Sequence, residues 1–366
     1  MKRFLIILMT ISLVLLAGCA IPTGKDEAVK QTTTAAVEET GSVVPESGKE
    51  AAAETTQAVI GDSSPSSSIS QAETGAVKIK LPVTLYYQDG DGYLVPMTRW
   101  IENQQGIARA AVSGLIDSAI TREEIQYYGV YPVLPVNTDV QGINIKDGTA
   151  TIDFNKSLLG YKDQASERNL VASIVYTLTE FSTIDNVRIL VNGYPQKILQ
   201  YGTDISEPLS RKNVSINSAE AVVGNNSAKA DIYCFKKANE GFTYLLPVSI
   251  EYGAAGEELK PETLVNLLLK EKTDKKLQSE MPADAKLIGS SEGNGILTLN
   301  FDTAFIKYGG TAKEEGILKQ LAYTMRQKSP GRIKIQVEGV PAELPEGTDI
   351  SKGLAIPKTI NDYIDR

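Results

Sequence analysis

The chain repeats itself. From Lys78 onward its two halves align at an offset of about 147 residues that shrinks to 145 near the end, so one fold must satisfy both. Thr149-Ala150-Thr151-Ile152-Asp153-Phe154 is answered by Ile296-Leu297-Thr298-Leu299-Asn300-Phe301. Ala150, Ile152 and Phe154 point one way with Leu297, Leu299 and Phe301, while Thr151 and Asp153 point the other way with Thr298 and Asn300. That is the period of a half-buried strand. Asp147-Gly148 and Asn294-Gly295 precede these strands and suit two-residue hairpins, whose central residues both take positive φ.

A helix follows in each copy, with the apolar stripe Leu170, Val171, Ile174, Leu178 matched by Ile317, Leu318, Leu321, Met325. A further strand then carries Val187, Ile189, Val191 in one copy and Ile333, Ile335, Val337 in the other. Upstream, each half opens on a hairpin, Val83 to Tyr87 with Tyr93 to Pro96, and Asp231 to Phe235 with Phe242 to Pro247. A first helix comes next, near Ile107 to Ile116 and near Pro261 to Lys270. The predicted order is ββ-α-ββ-α-β in each copy. The fold class is α+β, two tandem two-layer domains, each sheet with one wet face and one face covered by both helices. The domains span residues 78–210 and 229–357, with a linker over 211–228 and a tail over 358–366.

Ahead of the repeats, Lys2-Arg3, the apolar run Phe4 to Leu16 and the small residues before Cys19 describe an export signal over residues 1–18. The run is short for a stable membrane span. Leu16-Ala17-Gly18-Cys19 reads as a bacterial lipobox, in which Cys19 is diacylated and becomes the first mature residue; two acyl chains make a stable anchor. Cleaved there, or kept as an uncleaved anchor, the chain stands outside the cytoplasm and is tied to a membrane. Residues 19–77 are rich in Ser, Thr, Ala, Glu and Gly without a sustained apolar period, and read as a disordered tether. Its reach is on the order of 40 Å for a flexible chain of this length.

The 366 residues carry a formal charge of −8 and no basic run past the extreme N-terminus, so nucleic acid is not an expected partner. The chain contains no histidine, which removes the usual general base, the common zinc ligand and every Ser/His/Asp or Cys/His arrangement. No phosphate-cradling loop or metal-ligand spacing is present, and neither a cofactor nor an enzymatic activity is expected. Cys234, the only cysteine besides Cys19, reads as a buried apolar thiol.

Three carboxylates invite an acid/base reading. Asp153 is replaced by Asn300 in the other copy and sits on the wet strand face. Asp204 and Asp349 recur within Gly202-Thr203-Asp204-Ile205-Ser206 and Gly347-Thr348-Asp349-Ile350-Ser351, where aspartate commonly caps a turn. A glycosidase would need two facing acids. At 100° per residue Tyr176 and Tyr323 lie opposite the apolar stripes of their helices, so both are candidate docking residues for a partner. A second reading, a module for cell-wall glycan (peptidoglycan) or a small ligand, rests on the aromatic hairpins around Tyr86, Tyr87, Tyr93, Phe242 and Tyr244.

At residues 170–193, LVASIVYTLTEFSTIDNVRILVNG, with ATIDF before and GTDISEPLSR after, the sequence resembles the GerMN domain family. A weaker second copy, ILKQLAYTMRQKSPGRIKIQVEG, covers residues 317–339. Two such domains behind a lipobox and a polar tether resemble the sporulation and germination lipoproteins of endospore-forming bacteria. The resemblance implies a core similar to ring-building motifs and a non-enzymatic, lipid-anchored role at the extracytoplasmic face, between mother cell and forespore membranes. It implies that partners are other proteins of a sporulation channel or ring complex, whose assembly or localisation the chain assists. The second copy departs from the first where Lys319-Gln320 stands for Ala172-Ser173.

Overall fold

The computed structural model describes residues 79–218, 224, 226–238, 241–270, 274–328 and 330–363; the export signal, Cys19 and the tether lie outside them. The first half runs β1 (Lys80–Asp89), β2 (Leu94–Glu102), α1 (Ile107–Ser113), α2 (Ala119–Ile125), β3 (Val130–Tyr131), β4 (Val140–Lys146), β5 (Thr149–Phe154), α3 (Gln164–Leu178), β6 (Asn186–Val191) and β7 (Tyr194–Pro195). The second runs β8 (Ser227–Lys237), β9 (Thr243–Ala254), α4 (Pro261–Leu269), β10 (Leu277–Gln278), β11 (Leu287–Gly293), β12 (Ile296–Phe301), α5 (Thr311–Met325), β13 (Arg332–Val337) and β14 (Val340–Pro341). The α+β class holds, and the elements read from the sequence occur in the expected order, with α2 and the two-residue strands β3, β7, β10 and β14 added to them. Among the described residues no helix is long and apolar enough to cross a membrane.

The turn signals do what their chemistry requires. Asp147 and Gly148 sit at φ 50° and 72°, and Asn294 and Gly295 at 52° and 72°, closing the β4–β5 and β11–β12 hairpins. Each half then builds a four-stranded sheet, β4-β5-β6-β7 or β11-β12-β13-β14, in which the long helix is the crossover between two parallel neighbours. Ala150, Ile152 and Phe154 are buried, as are Leu297, Leu299 and Phe301, under the helices. The alternate residues of both strands stay half exposed.

The opening hairpins add a layer. β1 and β2 pair with short β3 in a sheet of their own, and β8 and β9 pair with β10 likewise. The run Val83 to Tyr87 is buried at every position, not alternately, because both hairpin faces are covered. One face lies on α3, and β2 meets β9 of the other half. Tyr86 N–H donates to Thr177 Oγ1 at 3.2 Å and Tyr233 N–H donates to Thr324 Oγ1 at 3.1 Å, the same contact made twice.

The described residues of the linker and of the tail, which follow the two domains, tie the halves together. Val214, Ile216 and Ile360 are buried. The Ser249 hydroxyl of the second domain accepts from Ile216 N–H at 2.9 Å, and Thr98 Oγ1 of the first accepts from Ile360 N–H at 2.8 Å. Asn217 bonds both backbone groups of Leu94 and the carbonyl of Pro247, while Asn361 bonds both backbone groups of Leu245 and the carbonyl of Pro96. Both asparagines hold positive φ, 53° and 46°, which this side chain tolerates by local hydrogen bonding. Each exit segment thus clamps both hairpins, and the two domains meet about a pseudo-two-fold axis with the reciprocal contacts of an isologous interface.

Candidate functional site at the inter-domain junction

Tyr176 and Tyr323 do point away from their four-stranded sheets, but neither is a free docking residue. The hairpin layer and the sister domain cover that side, leaving Tyr176 0% and Tyr323 3% exposed. The Tyr176 ring packs edge-on to Tyr86 at 5.4 Å, and its hydroxyl donates to Asp231 Oδ2 of the other domain at 2.8 Å. Tyr323 packs on Tyr233 at 5.3 Å and donates to the Thr359 carbonyl. Burial, then the neighbouring Asp231 carboxylate, pushes the Tyr176 hydroxyl well above its ordinary pKa. Burial also pushes Asp231 upward, although it accepts from both Tyr176 and Ser249.

Beside this pair lies a charged triad that sequence reasoning missed. Glu180, just past the end of α3, takes Arg211 at 2.6 Å on one oxygen and Arg326 of the second domain at 2.7 Å on the other. Tyr86 Oη donates to the same carboxylate at 2.8 Å. Burial alone would raise the Glu180 pKa, but the two guanidinium groups outweigh it and hold the acid down at about 2. Arg211 also stacks on the Tyr176 ring, 4.7 Å from its centroid. On the far side of the hairpins Lys236, almost fully buried, bridges Asp89 and Asp91 of the first domain at 2.7 Å each.

The other candidate acids are structural. Asp153 accepts from Gly193 N–H at 2.8 Å and Asn300 accepts from Gly339 N–H at 2.8 Å, which explains why an amide replaces the acid without loss. Asp204 and Asp349 each accept from the amide two residues on, Ser206 and Ser351, at 2.9 Å; the hydroxyls of those serines first, and then the amides, lower both pKa values, as turn caps should. The threonines beside them have a larger task. Thr203 N–H donates to buried Glu167 at 3.0 Å and Thr348 N–H to buried Glu314 at 3.1 Å, with Tyr201 and Glu346 amides on the second oxygens. A buried carboxylate on each long helix therefore pins the chain as it leaves the sheet. Replacing Glu314 with Ala should strand those donors and cost roughly 2–3 kcal/mol in denaturant unfolding.

The aromatic residues behind the glycan reading do not form a sugar-stacking face. Tyr86, Tyr87 and Tyr244 are fully buried, and half-buried Tyr93 donates to Asp274. Phe242 packs against Tyr127, Tyr128 and Tyr363. Ser173 Oγ donates to the Tyr86 carbonyl at 2.6 Å while Gln320 Nε2 donates to the Tyr233 carbonyl at 2.9 Å. The departure in the second copy thus preserves one contact with a longer side chain.

Where the halves differ most is α2 and the 3-10 turn after it, which have no counterpart among the described residues of the second domain. Ser118 caps α2 through the Thr121 amide, and Thr121 and Ile125 face inward. The outward side shows Ile120 and Tyr127, each 71% exposed, with Tyr131 half exposed beyond. Among the described residues no group of three or more His, Cys, Asp or Glu could hold a metal ion.

A family model described as Germane, sporulation and spore germination, matches residues 84–197 and 231–343. The spore germination protein GerM of Bacillus subtilis (strain 168) is 28% identical over 288 residues, covering 76% of this chain and 77% of that protein. The solved tandem GerMN domains of the sporulation protein GerM from Bacillus subtilis superpose with a TM-score of 0.66 at 28% identity, covering 77% of this chain and 99% of that one. With two matched segments that cover more than half of its length and coincide with the two pseudo-symmetric domains, the chain belongs to the Germane family of sporulation and spore germination proteins.

Proposed function

We infer that the chain is a non-enzymatic scaffold, lipid-anchored through Cys19 on the extracytoplasmic side. It assists assembly or localisation of a sporulation channel or ring complex between mother cell and forespore. The observation that carries this reading is the asymmetry of the repeat: the segment unique to the first domain presents Ile120, Tyr127 and Tyr131 outward. Large apolar and aromatic side chains exposed together mark contact surfaces. Family membership and the structural hydrogen bonds made by Glu167, Glu314, Asp204 and Asp349 support a binding role over catalysis.

The test is crosslinked co-purification from sporulating cells of the wild type and the Ile120→Glu/Tyr127→Glu double variant. Both residues are exposed, but Tyr127 also meets the Phe242 and Tyr128 rings, so stability should fall by no more than about 2 kcal/mol. Recovery of the complex partners should be lost. Undiminished recovery from the folded variant would exclude this surface.

A further inference from the structure

A cleft of about 1080 Å³ opens between the domains beside the Glu180 triad, walled by Arg211 and Lys212 from one side and Lys229 and Arg326 from the other. Arg211 and Arg326 meet the Glu180 carboxylate directly and feel the Asp231 carboxylate through space, while among the described residues their hydrogen bonds end on Glu180, Thr179 and the Tyr176 carbonyl. Among the described residues Arg211 Nη1 and Arg326 Nε meet no acceptor, at the edge of a cleft that can admit one. Asp185, Asp231 and Glu257 also line the cleft, so its charge is divided between walls instead of uniformly positive.

The pseudo-symmetry says that this feature is not demanded by the fold. At the matching place in the other half, Glu180 becomes Gln327, Arg326 becomes Thr179, and the exit segment that carries Arg211 reads Leu354-Ala355-Ile356. Gln327 simply closes a neutral bond pair with the Asp231 backbone, at 2.9 and 2.6 Å. The same junction is thus built once without charge and once with two arginines and two lysines, in a chain whose net charge is −8. Guanidinium N–H groups that face an open cleft favour planar or tetrahedral oxyanions, which accept from the fork geometry of arginine.

We propose that this inter-domain cleft binds a ligand through an oxyanion group, a carboxylate or a phosphate, received by Arg211 and Arg326 with Lys212 and Lys229 at its mouth. A bound anion would complete the second half of the arginine pair and hold the two domains together more firmly. This site is separate from the Ile120–Tyr127 surface and stands or falls independently of it.

The experiment uses the purified chain and three probes at matched ionic strength: inorganic phosphate, succinate and chloride. Unfolding midpoint and calorimetric titration are the readouts, on wild type and on Lys212→Gln/Lys229→Gln, which leaves the Glu180 pairs in place. A saturable rise in midpoint with phosphate or succinate, absent with chloride and weakened at least ten-fold in the double variant, supports the proposal. Preference between the two probes separates a phosphate source from a carboxylate one. Equal responses to all three salts, or an unchanged response in the folded double variant, would overturn it.

Discussion

Replacing Glu180 with Gln should lower the stability of the two-domain body by about 3 kcal/mol at neutral pH, and Glu180→Ala by roughly 3–5 kcal/mol. The reason is the company the carboxylate keeps. Arg211 and Arg326 both lean on it from opposite domains, so its loss leaves two buried cations facing each other with one hydroxyl, Tyr86, also unpaired. A drop of that size corresponds to roughly 6–12 °C in the unfolding midpoint for a body of this length. The acid limb gives an independent check. The Glu180 pKa is near 2 in the fold against 4.5 ordinarily, so its contribution is complete above about pH 4.5 and is lost as pH falls toward 2. Wild type should lose most of those 3 kcal/mol across that window, and Glu180→Gln should lose little. Asp231 runs the other way: its pKa is raised, so whatever stability it contributes is lost as pH rises. It is present in both proteins, so their difference isolates Glu180. Equal acid profiles for the two would remove the triad from the account.

The parts of the fold legible in the sequence are those governed by local chemistry. Asp147-Gly148 and Asn294-Gly295 announce their hairpins because positive φ is a property of the turn alone. The alternation of Thr149 to Phe154 announces a strand with one covered face, and the repeat doubles the evidence for each element. Asp204 and Asp349 are legible as caps because their partners are two residues away. What resisted reading depends on what comes to lie across from a residue. Val83 to Tyr87 loses its alternation because α1 and α3 both pack on β1, and Tyr176 is buried by Tyr86 of that hairpin and by Asp231 of the second domain.

One further signal was present in the sequence. Ser215-Ile216-Asn217 and Thr359-Ile360-Asn361 repeat at an offset of 144, inside segments whose composition reads as linker and tail. A recurring motif outside the recognised domain limits points to a repeated job, here the reciprocal clamp. Glu180, Arg211 and Arg326 gave no such signal, since they are the residues that break the repeat. Their counterparts are Gln327, the Ala355-Ile356 region and Thr179, so a search for likeness passes over them. In a duplicated chain the positions that depart from symmetry are where one copy has acquired a task that the fold does not impose, and α2 with its exposed Ile120 is the other such departure.

Tyr176→Ala is the substitution that separates a junction from a docking helix, and its expected cost is about 3–5 kcal/mol. The ring is fully buried between Tyr86 and the Arg211 guanidinium, so truncation opens a cavity and removes the aromatic face under a cation. It also strands Asp231 of the other domain, which would keep only Ser249 as a donor. Tyr176→Phe retains the ring and loses the hydroxyl, so it should cost about 1–3 kcal/mol, the expense of leaving a buried acceptor short of a donor. Because that acceptor belongs to the second domain, the loss should lower the denaturation midpoint of both halves together. A free docking residue behaves in the opposite way: Tyr176→Ala would leave the unfolding curve within about 0.5 kcal/mol of wild type and abolish partner recovery instead. Measuring the curve of each variant beside co-purification with Ile120→Glu/Tyr127→Glu therefore assigns the two surfaces independently. A stable Tyr176→Ala protein would return that tyrosine to the partner face and leave the inter-domain bond to Asp231 without energetic weight.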